Sequence, residues 1–577
     1  MKKIYFILQI LFLYPIWSVG QTELFVATNG SDFNAGTIES PFRNIQKACD
    51  VAAPGTTVQI LSGVYYENLV MNVSGVVDST ITFKAYQNGL VVVDGDYKNA
   101  RLLEIANKDF LKIQDLQFRN ANGNGSIGIV VLGSASNITI QNCEITNIGF
   151  TNDANESPND SSNAYPFIAY GNNPNAPIKN LTFSNNRINN CRPGYSNCFE
   201  LNGNVNNFKV LDNNINNNEN SAIAILGHKD VCPDSEVDFV RNGTLSGNKC
   251  LLNVSSIESA AGIYLDGCKN IVVEKNTCYK NQYGIKVGCE NPGFLTSLNI
   301  IRDNIIYLNY LPGFNMGNFE SSESMGMVKN CSFTNNTLFR NDQDQTGFGE
   351  VVLKNTENLT FFNNIIFSTG QNIMVTAILN DTLNNSFDFN DWYNNTMQQN
   401  TTFNYNNTVY STFAAYKSAT FHELNSQFTN PGFINTSASD PNFHLLPTSP
   451  LIDAGKQSLL YNSDTDFEGN ARIIDGAIDI GCFEFNSAVG INEAKEIKKS
   501  LDVWPNPSSS NIYFDHLEND LIKEIRIFNT TGNLIKIIAT NASDKTTKIS
   551  IEDLLDGVYF INVTTDKNIY NSKIVKI

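Results

Sequence analysis

One pattern constrains the fold of this 577-residue chain more than any other: an apolar run, polar-Asn, then an apolar residue, recurring at a near-fixed spacing. It reads "LTFSNNRI", "KVLDNNI", "IVVEKNTC", "IIRDNII", "CSFTNNTL" and "LTFFNNII". The spacing places the turn residues at Asn186, Asn214, Asn248, Asn276, Asn304, Asn336 and Asn364, with Asp115 and Cys143 in the same place upstream. The steps are 28, 43, 28, 34, 28, 28, 32 and 28 residues, so a coil is 28 residues and the longer steps carry insertions. A fixed period in this range signals a solenoid. Short β-rich runs between Gly and Asn, without helical periodicity, predict an all-β chain built as a parallel β-helix. Stacked turn asparagines would hydrogen-bond from coil to coil as a ladder, a purely structural role.

Each coil carries a second, glycine-ended strand: "IGIVVLG", "NCFELNG", "SAIAILG", "AAGIYLDG", "YGIKVG", "PGFNMG". Insertions follow three of them, after Gly227, Gly288 and Gly317. Loops inserted at one corner of a repeat array map to one face, often the binding face. Strand side chains alternate with period two. With Phe199, Leu201, Ile263, Leu265, Ile285, Val287, Phe314 and Met316 inside, the residues pointing out are Glu200, Asn202, Tyr264, Asp266, Lys286 and Asn315. Coils stack at roughly 4.8 Å, which puts Tyr264, Asp266, Lys286 and Asn315 within about 10 Å of one another and Glu200 roughly 14 Å from Lys286.

The ends and the composition set further bounds. Residues 1–20, with a two-lysine head, an apolar middle and a small-residue end, read as a secretory signal peptide cleaved before Gln21. No later stretch is long and apolar enough to span a bilayer. The net charge of −18 excludes nucleic acid as a partner, because phosphate binding needs clustered Lys and Arg. A monomer is expected. Eleven cysteines in an exported chain permit disulfides, but none forms a C-x-x-C pair. Cys250 and Cys278 fall at interior positions of adjacent coils, whereas Cys289 could pair with Cys232 or Cys268.

The stretch "LFVATNGSDFNAGTIESPFRNIQKACDVAAPGTTVQILSGVYYENL" (24–69) is similar to the start of many secreted right-handed parallel β-helix proteins of the pectate-lyase-like superfamily, including family 9 pectate lyases. Within it, residues 41–52 fit an amphipathic helix with Phe42, Ile45, Ala48 and Cys49 on one face, capping the open end of the solenoid. The resemblance implies a right-handed helix over 21–430. Residues 431–486 resemble a closing module found after such helices, whose Asp464, Asp466, Asp475 and Asp479 serve either a turn-rich cap or a cation. A charged linker (487–500) follows. Residues 501–577, with "LDVWPNPSSSNIYF", "LLDGVYFINV" and the terminal "KIVKI", resemble the small β-sandwich sorting domain of the Bacteroidetes type IX secretion system. That resemblance implies secretion or surface display, with the secretion machinery as a partner.

The β-helix resemblance also implies an acidic, uronate-containing polysaccharide in the groove, cleaved by β-elimination. That chemistry needs the sugar carboxylate neutralised and a base for the C5 proton. Lys286 is the candidate base, beside Tyr264 and near Lys229 or Arg241; a salt bridge to Asp266 is its structural alternative. His228, at the corner of the first insertion, is a further catalytic candidate. Glu200, Asn202, Asn315 and Lys229 are candidates for binding sugar. Family 9 pectate lyases combine a lysine base with an aspartate-built calcium site; here the counterparts would be Asp266, Asp230, Asp234 and Glu290, the nearest run being "DVCPDSEVD". Glycoside hydrolysis is the alternative chemistry, since Glu200, Asp266 and Glu290 supply carboxylates. The polygalacturonase pattern is absent: there is no Asp-Asp, and Gly227-His228-Lys229 replaces Gly-His-Gly. A non-catalytic glycan-binding or adhesin helix is the third reading.

Overall fold

The computed structural model describes residues 23–577 except 258, 318–324, 369–372, 378–383, 396–401, 459–462, 475, 487–497, 502, 516–521, 530–533, 540–545 and 566–568. The signal-peptide segment and most of the linker lie outside the described residues. The chain divides into two units, Met1–Phe485 and Asn486–Ile577.

The first unit is a right-handed parallel β-helix. Its described strands form sheets of 16, 13 and 12 members, in which a strand pairs in parallel with its counterpart one coil later, three strands on in the earlier coils and four in most of the later ones. The helix Ile45–Val51 covers the N-terminal end and buries Ile45, Ala48 and Cys49, with Phe42 buried just before it. The alternation holds along the 13-stranded sheet: Phe199, Leu201, Ile263, Leu265, Ile285, Val287, Phe314 and Met316 all belong to the one apolar core of the solenoid. Like residues stack there; the rings of Phe167 and Phe199 lie 4.7 Å apart and nearly parallel. Glycine ends the strands where the chain turns sharply. Gly317 has φ +89°, and a Cβ there would overlap the Lys354 carbonyl.

Buried backbone at each corner must find partners, and two asparagine ladders supply them. In the first, the backbone N–H and Nδ2 of Asn186, Asn213, Asn248, Asn276, Asn304 and Asn336 each donate to Oδ1 of the next member, ending at Asn364 and Asn390. The expected member Asn214 is displaced by one. Asn213 is the buried rung and Asn214 opens the next strand. The same shift applies upstream, where Asn142 Nδ2 reaches Asp115 Oδ1 outside the ladder and Leu116, not Asp115, aligns with Cys143. A second ladder runs Asn218, Asn253, Asn281, Asn309, Asn341.

The region after the last coils packs on the same unit. Arg472, 1% exposed, pairs with Asp303 of the coils and, at 2.8 Å, with Glu484. Asp466 accepts the N–H groups of Glu468, Asn470 and Glu484, and Asp479 accepts those of Asp453 and Phe485. These two carboxylates therefore serve a hydrogen-bonded cap; Asp475 lies outside the described residues. All eleven cysteines are buried and unbridged, so the pairing of Cys289 with Cys232 or Cys268 is not formed. Cys250 and Cys278 stack in register inside the core, where the contact with Cys250 and then burial push the Cys278 thiol up.

The second unit has a five-stranded sheet and a two-stranded sheet around its own core of Leu501, Ile512, Phe514, Ile525, Ile527, Ile549, Ile561 and Val563.

Candidate active site

A cavity of about 540 Å³ opens on the outer face of the 13-stranded sheet, at the corner where the insertions leave. Its floor follows from register. Glu200 pairs with Ala224, Ala224 with Tyr264, Tyr264 with Lys286 and Lys286 with Asn315, one residue per coil. A second row, two residues further along each strand, runs Asn202, Leu226, Asp266, Gly288. Period-two alternation thus gathers Glu200, Asn202, Tyr264, Asp266, Lys286 and Asn315 on one face, and Glu200 stands three coils from Lys286.

Three charged groups form the rigid part of the site. Lys229, from the first insertion, places Nζ 2.7 Å from Asp266 Oδ2 and in contact with Glu290 Oε2. The Glu290 backbone N–H donates to Asp266 Oδ1 at 2.8 Å. The Tyr264 hydroxyl donates to Glu290 Oε1 at 2.5 Å. Burial works against the Lys229 ammonium, but the Asp266 and Glu290 charges outweigh it and raise its pKa. Burial pushes Glu290 upward, yet the Lys229 charge and hydrogen bonds hold it below the usual carboxylate range. Asp266, 1% exposed, is raised by burial, with Lys229 opposing. The partner of Asp266 is therefore Lys229 and not Lys286.

Lys286 is held differently. Its Nζ lies 4.5 Å from the centre of the Tyr264 ring and 5.6 Å from that of Tyr283, and donates to the Ser259 carbonyl at 3.1 Å. At the far end of the cavity Glu200 accepts from Asn197 and Asn202, both at 3.1 Å. Burial raises its carboxyl despite those two bonds, which suits a proton donor. Oδ1 of Asn202 and Oδ1 of Asn315 are buried, and among the described residues neither has a hydrogen-bond partner. Both residues line the cavity, and each brings to it a buried acceptor without a donor among the described residues.

Four expected site residues are elsewhere. The His228 ring is sandwiched between Phe294 (3.8 Å) and Phe239 (5.4 Å), and its carbonyl accepts from Asn291. Burial lowers its pKa to about 4, so it is a neutral pin joining the first two insertions, outside the cavity lining. Arg241 lies on a strand of another sheet, its guanidinium over Phe239 and bonded to the Phe239 carbonyl and Asn204. Asp234 accepts from Glu236 within its own exposed loop, and Asp230 is exposed beside it. Among the described residues no three His, Cys, Asp or Glu side chains group closely enough to hold a metal ion. The expected calcium ligands are thus divided, and the two that meet, Asp266 and Glu290, already share an ammonium. Among the described residues these four do not come together as a calcium site.

Tyr195, Asn197, Ser259 and Tyr283 also line the cavity and were not anticipated. Tyr283 has the parity of the interior residues Ile285 and Val287, so alternation alone assigns it inward. Asn197 had a usable signal in its position three residues before Glu200, where a side chain can reach back to the carboxylate.

Comparison with known proteins fits this architecture. Residues 24–175 match the model of the Pel9A-like, right handed beta helix region. The uncharacterized protein YwoF of Bacillus subtilis is 31% identical over 445 residues, covering 74% of this chain and 91% of that one. The chain belongs to one family with YwoF, and its residues 24–175 carry the Pel9A-like right-handed β-helix region. Another relative of this Pel9A-like helix is the pectate lyase PEL9 of Emericella nidulans, 31% identical over 114 residues, which are 18% of this chain and 27% of that one. The crystal structure of pectate lyase Pel9A aligns at TM-score 0.45 and 15% identity, over 81% of this chain and 97% of that one. Residues 502–577 match the secretion system C-terminal sorting domain. The Pel9A-like helix is therefore joined to a tail that addresses it for type IX secretion, to the cell surface or the extracellular space.

Proposed function

We propose that this protein is a polysaccharide lyase that cleaves a uronate-containing chain by β-elimination, with Lys286 as the base. The observation that carries the reading is the pairing of two lysines in one groove with different tasks. Lys229 is fixed by two carboxylates and stays charged, and Lys286 stands against the Tyr264 and Tyr283 rings on the row that lines the groove. An ammonium has three donors. Glu290 takes one from Lys229, Asp266 faces the ammonium as an ion pair at 2.7 Å, and a further donor can reach a sugar carboxylate. Neutralising that carboxylate acidifies the C5 proton. Lys286 then takes the C5 proton, the electron pair forms the C4–C5 double bond, and the C4–O bond breaks. The leaving oxygen is protonated by solvent. Asn202 and Asn315 accept from sugar hydroxyls. The pectate-lyase relative supports the substrate class.

One observation favours a second reading. Glu200, buried and raised, is poised as a general acid for glycoside hydrolysis. Incubating the mature protein with pectate, alginate, ulvan and glycosaminoglycans separates the two. Rising ultraviolet absorbance from an unsaturated uronate is expected. Reducing ends without absorbance would shift the assignment to hydrolysis.

A further inference from the structure

The ion-paired cluster also bears on which cation this site uses. Asp266 belongs to a strand of the sheet, Glu290 to the second insertion and Lys229 to the first. A divalent ion held by oxygen ligands would have to displace the ammonium, because Lys229 Nζ is 2.7 Å from Asp266 Oδ2 and touches Glu290 as well. Ammonium is compact and strongly hydrated in water. Here it has exchanged that hydration for two carboxylate contacts, at a position three-quarters shielded from solvent. The geometry points to Lys229 as the resident cation of the site, occupying covalently the place of a metal and making the site independent of divalent ions.

The same contacts make Lys229 a positioning residue. It holds Glu290, Glu290 accepts from the Tyr264 hydroxyl, and the Tyr264 ring supports the Lys286 amine. Removing the ammonium would leave the two carboxylates it bridges without their shared cation, one of them buried, and would create a vacant anionic pair for a soluble cation. The inference rests on the lyase reading only for its link to Lys286; the cation assignment stands on contacts alone.

The test uses the full mature chain. Thermal unfolding is followed with EDTA and with 10 mM calcium for wild type, Lys229→Ala and Lys229→Ala/Glu290→Gln. Lys229→Ala should melt lower than wild type and gain a calcium-dependent rise of at least about 3 °C beyond any seen in wild type. Adding Glu290→Gln should remove that gain. No gain over wild type would overturn the assignment. Terbium provides a second measurement that needs no lysine variant, since an ion bound here would be sensitised by Tyr264. Wild type should show no terbium emission that Glu290→Gln abolishes; such emission would mean that a metal displaces Lys229. Where wild type cleaves a uronate polymer, EDTA should leave the rate unchanged. If no polymer is cleaved, the lyase reading fails while the melting and terbium results still decide the cation.

Discussion

Asn341 donates its backbone N–H to Glu350 Oε1 at 2.9 Å and its Nδ2 to Glu350 Oε2 at 2.8 Å. This pair ends the second asparagine ladder. From Asn253 onward each rung passes two donors to the next oxygen, so the last rung has two donors and no following asparagine. A carboxylate, with two acceptor oxygens, satisfies both. The first ladder ends comparably, with Asn390 donating to Ser426 and Glu423.

That termination gives the β-helix a pH dependence. Burial pushes Glu350 up to about 8 and Glu423 up to about 7 against their hydrogen bonds. A carboxyl raised in the folded state binds a proton there that the unfolded chain has released. Its stabilising contribution is full below the ordinary carboxylate value and is lost as pH rises through about 8 for Glu350. The melting temperature should therefore fall between pH 5 and pH 9 (about the range between the two states' values). Glu350→Gln should reduce the slope by at most about 1.4 kcal/mol per pH unit. A slope unchanged in that variant, measured by calorimetry, would remove Glu350 from the explanation.

At the candidate site, Lys286→Ala should abolish the unsaturated product, a loss on the order of 10²–10⁴ in kcat for a removed general base. Tyr264→Phe should cost less. It keeps the ring beneath Lys286 and deletes only the donation to Glu290. Equal losses from the two changes, or full activity in Lys286→Ala, would count against Lys286 as the base.

Asn202→Ala and Asn315→Ala test the two partnerless acceptors. Each should raise KM with little change in kcat, by roughly 5–10-fold for a lost hydrogen bond of about 1 kcal/mol. Steady-state kinetics on defined oligosaccharides reads this directly. A fall in kcat at constant KM would place that amide in the transition state instead of in binding.

Much of this architecture was legible because its cause is local. The coil period and the alternation of Ile285, Lys286 and Val287 are properties of single strands, and they align Glu200, Tyr264, Lys286 and Asn315 in one row as expected. What failed involved choices between equivalent neighbours or between distant partners. In "LDNNI" two adjacent asparagines fit the turn, and only the shorter 27-residue coil selects Asn213. The second ladder also repeats at 28, but the residues flanking Asn253, Asn281 and Asn309 differ from coil to coil and give no common motif. Asp266 could have paired with Lys286 or Lys229; the path of the insertion decides, and spacing does not encode it. His228 and Arg241 look catalytic in a list of residue types, but aromatic neighbours brought in from Phe239 and Phe294 hold them elsewhere.

The buried cluster of Arg472, Asp303 and Glu484 should dominate the stability of the C-terminal part of the first unit. Arg472 also donates to the carbonyls of Gly481 and Cys482, and Ser463 donates to Asp303, so the guanidinium ties the closing region to the coil bearing Asp303. Burial pushes Asp303 upward and Glu484 to about 8, with Arg472 opposing both shifts. Arg472→Met fills similar volume but strands two buried acids, and removal of one partner from such a pair costs about 3–5 kcal/mol. Protonation offers those acids an escape. The loss should therefore be larger at pH 9 than at pH 5, where both carboxyls take up protons at lower cost. Asp303→Asn should be milder, because Glu484 still pairs with the arginine. Denaturant melts of the three proteins at the two pH values check the order; an Arg472→Met loss independent of pH would show that packing, not charge, carries the cluster.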